Sequence, residues 1–350
     1  MIPIDSESTV GPLDPADESA WDAFVGTHAR STTYHRLSWR NVIQRSFGHQ
    51  THYLVAKGKD GCINGVLPLV RLKSRLFGDF LVSMPYFNYG GPLAASDAIE
   101  LDLMTHAIAL ARDLGVGHIE FREMRARESY PVCRTDKAIF ELELPSTSEQ
   151  LFDRLGTKKR TRIRRPAKAG ATVTHGGAEL LDEFYAVFSR NMLELGTPVY
   201  GRRFFREVLV SDPDSTTISV VRMDGRPVAA ALLVAFRDRL EIPWASALKE
   251  YNKHAVNMLL YWEVLKLAIE RGFRVFDFGR STVNSTHQTF KEQWGARSVQ
   301  SYWNYWIAPG RAMPQLSPTS GKYSYAIDAW KRLPLPIANL LGPHIVKYIP

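Results

Sequence analysis

Two short segments carry the residue types most able to do chemistry. The first is Phe276-Asp277-Phe278-Gly279-Arg280-Ser281, and the second is Phe290-Lys291-Glu292-Gln293-Trp294-Gly295. The first reads as a buried strand that ends at Gly279. The second reads as a helix opened by the capping pair Ser285 and Gln288 and closed at Gly295. A strand end followed by a capped helix is a usual place for a ligand cleft, and a helix N-terminus there favours anions. A lysine ammonium in such a cleft could hold the carbonyl oxygen of an acyl ester as negative charge develops on it. Asp277 and Arg280 flank the glycine and are candidate substrate-binding residues. On spacing alone, a solvated Lys291 above a core Phe290 is the simpler reading, and Asp277 between two phenylalanines equally suits a satisfied structural carboxylate.

A third segment is basic. Lys158-Lys159-Arg160-Thr161-Arg162-Ile163-Arg164-Arg165-Pro166-Ala167-Lys168 has seven cations in eleven residues. Seven like charges repel one another, which calls for an anionic partner, and arginine forks suit phosphate. That partner could be a nucleotide-linked group, tRNA or a lipid headgroup. A solvated helix face remains the competing reading. Two aromatic loops, Met84 to Pro92 and Met192 to Tyr200, could wall a cleft or simply pack.

Absences narrow the chemistry. The stretch Lys249 to Asn257 precedes a long helix but has no glycine, so the usual cradle for a coenzyme A pyrophosphate is missing. There is no G-x-S-x-G, P-loop or dinucleotide fingerprint, and Ser281 is a poor nucleophile candidate. His49 and His52 lack an evident third ligand, so no metal site is assigned.

The elements that must position these residues alternate between helix and strand periods. Helices are expected at 18–27, 34–47 and 97–114, with strands at 51–56, 62–72, 79–84, 118–122 and 138–144. Ser146 and Glu149 have capping-box spacing and predict a helix opening at about Glu149. A helix at 178–195 follows, then strands at 217–222, 226–236 and 239–247, a helix at 256–271, and strands at 273–278 and 298–307. Asp224-Gly225 is a hairpin turn. The second half thus repeats the element order of the first. The expectation is an α/β (α+β) fold of two tandem domains, 1–145 and 146–350, each a mixed twisted sheet flanked by helices.

The chain has 350 residues, 45% hydrophobic composition, a formal net charge of +8 and two cysteines. That is ample for two buried cores and excludes a disordered chain. Cys62 and Cys133 show no metal spacing and fit a reducing compartment. Met1 to Asp22 carries Asp5, Glu7, Asp14, Asp17 and Glu18 rather than a signal peptide, and no apolar run is long enough to span a membrane. A cytoplasmic protein is expected. The Pro-rich apolar tail, Leu333 to Pro350, packs on its own domain or touches a membrane peripherally.

The paired segments resemble the peptidoglycan-bridge aminoacyltransferases of the Fem type, whose second domain carries a Y/F-D-F-G strand and an F-K-x-x-F/W-G helix. The whole chain also looks like the FemAB-related proteins associated with exosortase (PEP-CTERM) and exopolysaccharide systems. The resemblance implies two N-acetyltransferase-like domains and a catalytic Lys291 with Phe290 beside it. It places Arg160, Ile163, Arg164 and Lys168 on a segment that meets acceptor phosphates, and Pro198 and Tyr200 at the border of the acceptor site. It implies transfer of an aminoacyl or acyl group to an amine of a nucleotide- or lipid-linked sugar or peptide. No tightly bound cofactor is implied; aminoacyl-tRNA or acyl-CoA would be the co-substrate. The chain has no room for the helical arm of several tRNA-using members, and Arg280-Ser281 stands where others often have a second glycine, so the donor stays open. A non-catalytic binding module of a polysaccharide-export assembly is the alternative from another class.

Overall fold

The computed structural model describes residues 8–127, 130, 132–313 and 321–350; Asp5 and Glu7 of the acidic N-terminus lie outside them. The chain divides into two compact units. One comprises Met1–Ala138, Val299–Gln315 and Tyr348–Pro350; the other comprises Ile139–Ser298 and Leu316–Lys347.

The first unit contains β1 (Thr9–Pro12), α1 (Glu18–Thr27), α2 (Leu37–Phe47), β2 (Gln50–Lys57), β3 (Ile63–Ser74), β4 (Gly78–Val82), β5 (Leu93–Ala94), α3 (Asp97–Asp113), β6 (His118–Glu123) and β7 (Val132–Arg134). The second contains most of β8 (Lys137–Glu143), then α4 (Ser148–Arg154), α5 (Thr157–Lys168), β9 (Thr172–Gly176), α6 (Leu181–Leu195), α7 (Arg202–Ser211), β10 (Thr216–Met223), β11 (Arg226–Phe236), β12 (Arg239–Ala247), α8 (Val256–Glu270), β13 (Val275–Thr282) and α9 (Thr286–Glu292). The chain continues through β14 (Arg297–Gln300), β15 (Tyr302–Ile307), α10 (Gly321–Lys331) and α11 (Leu335–Val346). Among the described residues the strands form two mixed sheets, ordered β1-β2-β3-β4-β6-β15-β7, with β5 on β3, and β14-β8-β13-β12-β11-β10-β9.

The units do not part at a single point near Pro145. β15 pairs antiparallel with β6 from Tyr302↔Glu123 to Ile307↔His118, so a late strand completes the first sheet. β8, early in the chain, lies beside β13 in the second. Hydrophobic periodicity marks a strand but not its partner, so this exchange was invisible in the sequence.

The first core joins Leu54, Leu67, Leu69 and Leu81 of the sheet to Leu103, Met104 and Ala107 of α3. The 85–92 loop belongs to this core. Phe87 stacks on Tyr34 with ring centroids 4.3 Å apart, and the N–H groups of Gly90 and Gly91 donate to the Arg122 carbonyl. A Cβ on Gly91 would lie 2.6 Å from Glu123 Cγ and 3.0 Å from the Arg122 oxygen, so only glycine fits.

In the second unit α8 is buried on nearly every side, as its almost continuous apolar sequence requires. Helices α6 and α8 both pack on β10, β11 and β12, and α4 and α5 pack on α8 while α11 packs on α6. The two groups therefore cover opposite faces of the sheet. Asp224 and Gly225 take φ values of +50° and +72°, the paired left-handed conformation of a two-residue hairpin turn.

Three local expectations change. α4 is capped by Thr147, whose hydroxyl accepts from the Gln150 N–H at 3.3 Å, and not by Ser146 with Glu149. β13 continues through Gly279 to Thr282 instead of stopping there. The 298–307 strand is two strands broken at Ser301. β1, β5, β7, β9, α7, α10 and α11 have no counterpart in the sequence reading; the four strands are short and lie at sheet edges or off the main strand path, where alternation is weak, and α11 forms within the tail read only as Pro-rich and apolar.

Candidate active site

β12 and β13 run parallel over only three pairs: Arg239↔Val275, Leu240↔Phe276 and Glu241↔Asp277. Their mutual pairing then ends, while β12 stays paired with β11 as far as Ala247. Pro243 has no N–H to give, and the β11–β12 register shifts between Leu232 and Val234, opposite this stretch. On β13, Gly279 adopts φ +70°, a conformation that favours glycine. The two strands part just past Glu241 and Asp277.

Lys291 reaches this opening from α9. Ser285 caps that helix by accepting from the Gln288 N–H at 3.3 Å, while Gln288 Oε1 accepts from the Asn284 N–H at 2.7 Å. Phe290, Trp294 and Phe278 surround Tyr261 of α8, with centroid separations of 4.9, 6.3 and 5.8 Å. This aromatic packing fixes the helix and turns Lys291 inward. Its side chain is buried, with the residue only 7% exposed.

The Lys291 ammonium donates to the carbonyls of Gly279 and Arg280, each at 2.8 Å, and lies 5.4 Å from the centroid of the Phe140 ring. Two of its three donors are thus used and one remains. Burial pulls its pKa down to about 8, although the carboxylates of Asp277 and Glu241 oppose that shift. At neutral pH it stays predominantly charged.

Asp277 is fully buried and accepts from the Gly279 N–H at 2.7 Å. Arg239 Nη1 stands between two carboxylates, 3.4 Å from Asp277 Oδ2 and 2.5 Å from Glu141 Oε1. Two further donors near Lys291 in sequence, Ser281 Oγ and Trp294 Nε1, are buried without a hydrogen-bond partner among the described residues.

The basic segment forms α5. Ile163 and Pro166 face inward, and the cations spread around the helix. The Arg164 guanidinium lies 4.9 Å from the Phe152 ring centroid; Arg160 lies 5.9 Å from it and pairs with Asp153 at 3.6 Å. Arg164, Phe152, Ile163, Leu259, Trp262 and Glu263 help line a cleft of about 420 Å³. Lys168 is exposed at the C-terminal end of the helix. Lys159, not singled out in the sequence, donates to the Gln293 carbonyl and so ties α5 to the turn that follows Lys291.

The structure therefore gathers Lys291, Asp277 and the Arg280 backbone around Gly279, packs Phe290 against Tyr261 and Trp294 instead, and sets Arg160 and Arg164 beside Phe152. Tyr200 stands in another cluster, its ring 5.0 Å from Phe204 and 6.3 Å from Phe205. Sequence reasoning missed Glu241, Arg239 and Glu141. Glu241 lies between Leu240 and Ile242, and a carboxylate inside so apolar a strand was the available signal.

The first unit has a parallel pair of the same kind, Leu81↔Ile119 and Val82↔Glu120, but its own chain follows into the opening. The Ser83 N–H donates to the Glu120 carbonyl at 2.9 Å, and the buried Arg122 guanidinium donates to Glu120 and to the Phe87 carbonyl.

Residues 157–292 match a family model described as an acetyltransferase (GNAT) domain, a span that runs from the start of α5 to the residue after Lys291. Among solved structures the chain is similar to FemX, at 13% identity over 86% of this chain and 97% of that one, with a TM-score of 0.63. It is similar to a tandem GNAT protein from the clavulanic acid biosynthesis pathway, solved without AcCoA (14% identity, 88% and 100% coverage, TM-score 0.54). It is also similar to L-PGS from Bacillus licheniformis (14%, 87% and 94%, TM-score 0.55). No curated protein matches the chain. The fold is that of two tandem N-acetyltransferase-like domains.

Proposed function

We propose that the protein is an acyl- or aminoacyltransferase whose chemistry lies in the second unit, where β12 and β13 part around Lys291. The acceptor amine attacks the acyl carbonyl carbon, and the carbonyl oxygen becomes anionic. Lys291 donates its remaining N–H to that oxygen. Collapse restores the carbonyl and breaks the bond to the donor's oxygen or sulfur. The proton lost by the amine, to solvent or the acceptor's own groups, is balanced by one that the leaving oxygen or sulfur takes up from the same pool to depart as alcohol or thiol. The observation that carries this reading is the buried Lys291 ammonium, held by two backbone carbonyls with one donor to spare, at a gap between parallel strands. The unpartnered Ser281 hydroxyl and Trp294 indole N–H support a site completed by a ligand.

Arg160 and Arg164, with Lys168 further along α5, would meet the phosphates of a nucleotide- or lipid-linked acceptor. Similarity to FemX and to L-PGS, a lysyl-phosphatidylglycerol synthetase, supports cell-envelope chemistry, and the exopolysaccharide and exosortase setting belongs to this proposal. For the donor, aminoacyl-tRNA is the first reading. Acyl-CoA is the second, favoured by the start of α8: Ala255 takes φ +61°, a glycine-like conformation, and the helix begins with no side-chain cap on its first N–H groups. A cytoplasmic setting fits either donor. Among the described residues no helix is long and apolar enough to cross a membrane.

Ligand-induced thermal shift of the wild type and Lys291→Ala tests the proposal, with acyl-CoAs, UDP-linked sugars, UDP-linked muropeptides and charged tRNA as ligands. A ligand at a hundredfold its Kd adds about 2.7 kcal/mol, a clear rise in Tm. The expected result is a shift with one acceptor class and one donor class in both proteins, with transfer between them lost in Lys291→Ala. No shift with any ligand, beside RNA binding that collapses with salt, would leave α5 as a nucleic-acid contact and overturn the transferase reading.

A further inference from the structure

Helix α11 leaves an apolar stripe uncovered. Its buried residues, Ala338, Gly342 and Val346, recur every four positions and form the inner face, which packs on α6. A Cβ on Gly342 would lie 2.8 Å from the Val199 N, and a Cβ on Gly201 would lie 3.3 Å from Pro343, so the helix is seated closely on the unit. The opposite arc carries Ile337, Leu340 and Leu341, which are 43, 68 and 43% exposed, together with His344. The spacing i, i+3, i+4 makes these three side chains one patch on a single helix face.

The helix and its immediate flanks in sequence are basic. From Ala329 to Pro350 there is no acidic residue, and Lys331, Arg332 and Lys347 bracket the helix. Arg202, Arg203 and Arg206 are exposed on the first turns of α7, whose start adjoins Pro343. On α6 and α7 the acids Asp182, Glu183, Glu194 and Glu207 pair with Arg202, Arg222, Arg190 and Arg203, so Arg202 and Arg203 are partly neutralised, and Asp328 of α10 is an exposed acid one turn before Lys331; the cationic rim rests on Lys331, Arg332, Lys347 and Arg206. An apolar stripe rimmed by cations fits one partner class above others, an anionic phospholipid surface, where the stripe enters the acyl boundary and the cations meet the headgroups.

We infer that α11 docks the protein on anionic membranes, with Ile337, Leu340 and Leu341 inserted and Lys331, Arg332 and Lys347 at headgroup level. This inference does not rest on the transferase reading. A docked protein would meet a lipid-linked acceptor at the bilayer surface, and it would dock whether or not it catalyses transfer.

Co-sedimentation of the full chain with vesicles tests it, using phosphatidylcholine alone and phosphatidylcholine mixed with phosphatidylglycerol. The wild type is expected to bind the mixed vesicles at least about tenfold more tightly than the neutral ones, and less tightly as salt rises. Leu340→Glu with Leu341→Glu should lower that binding about tenfold or more, with an unchanged circular dichroism spectrum and Tm, because both side chains are exposed. Lys331→Glu with Arg332→Glu should flatten the salt dependence and keep the fold. No binding to either vesicle, equal binding by the wild type and the leucine variant, or a solution dimer that Leu340→Glu dissociates would overturn the inference; the last result would assign the stripe to a second copy of this chain.

Discussion

Asp277 and Lys291 hold the two ends of one residue: the Asp277 carboxylate accepts the Gly279 N–H at 2.7 Å, and the Lys291 ammonium donates to the Gly279 carbonyl at 2.8 Å. The carboxylate fixes the kink in β13, and the kink presents the carbonyls that hold the lysine. The same carboxylate, with Glu241, offsets part of the cost of burying the ammonium.

Replacing Asp277 with Asn should therefore act on Lys291 at a distance. The charge that opposes the burial shift is removed, so the lysine pKa falls further below about 8. Disturbing the buried Asp277–Arg239 contact should also cost on the order of 2 kcal/mol. Nitrogen-detected NMR titration of the lysine ammonium groups checks the first part, and denaturant unfolding checks the second. A Lys291 titration that stays put or moves up would count against the coupling.

Lys291 should also set a pH dependence of stability. Its folded pKa of about 8 lies below the ordinary 10.5, so between those values the unfolded chain binds more protons than the native one. Stability contributed by this group therefore rises as pH increases through the window, and below it the burial penalty is present in full. Relative to Lys291→Met, in which this group does not titrate, the wild type should gain on the order of 2–3 kcal/mol from pH 8 to 10.5. Urea unfolding of both proteins across the window measures the difference. Transfer, which needs the charged donor, should decline above about pH 8.

Gly279→Ala tests the kink directly. An L side chain at φ +70° costs about 1–2 kcal/mol. Relaxing that strain would move the two carbonyls that hold Lys291, so transfer should fall by more than the stability loss explains. Parallel unfolding and turnover measurements separate these effects, and full activity with only a lowered Tm would show that the kink is structural.

On α5, Arg160→Ala with Arg164→Ala should weaken the anionic acceptor rather than the chemistry. Losing two phosphate donors should raise KM about tenfold or more and leave kcat within a few-fold, with a shallower salt dependence. Steady-state kinetics at two ionic strengths distinguish this from a role in turnover, in which kcat would fall instead.

Much of this was legible in the sequence because it depends on local pattern. The helices at 18–27, 97–114 and 256–271 and the meander at 217–247 were placed within about two residues at each end, because 3.6- and 2-residue periods are properties of the chain itself. Ser285 announced the α9 cap, and the F-D-F-G and F-K segments announced a helical lysine following a strand that reaches Gly279; its hydrogen bond to the Gly279 carbonyl was not legible. The missing elements were short strands and the helices α7, α10 and α11: α7 was hidden by its three arginines beside two buried phenylalanines, Phe204 and Phe205, and α11 by Pro334, Pro336 and Pro343.

What only the tertiary structure decided is which residues become neighbours. Amino-acid order specified a lysine on a helix and an aspartate on a strand. It could not say that Pro243 and Gly279 bend two paired strands apart at the same level, that Glu241 faces the same register position as Asp277, or that β15 crosses to the first sheet while β8 serves the second. Strand pairing is chosen by non-local hydrogen bonds and packing, whose energies depend on every partner at once. The lowered pKa of Lys291 is likewise a property of burial, and burial exists only after the sheet, α8 and α9 have closed around it.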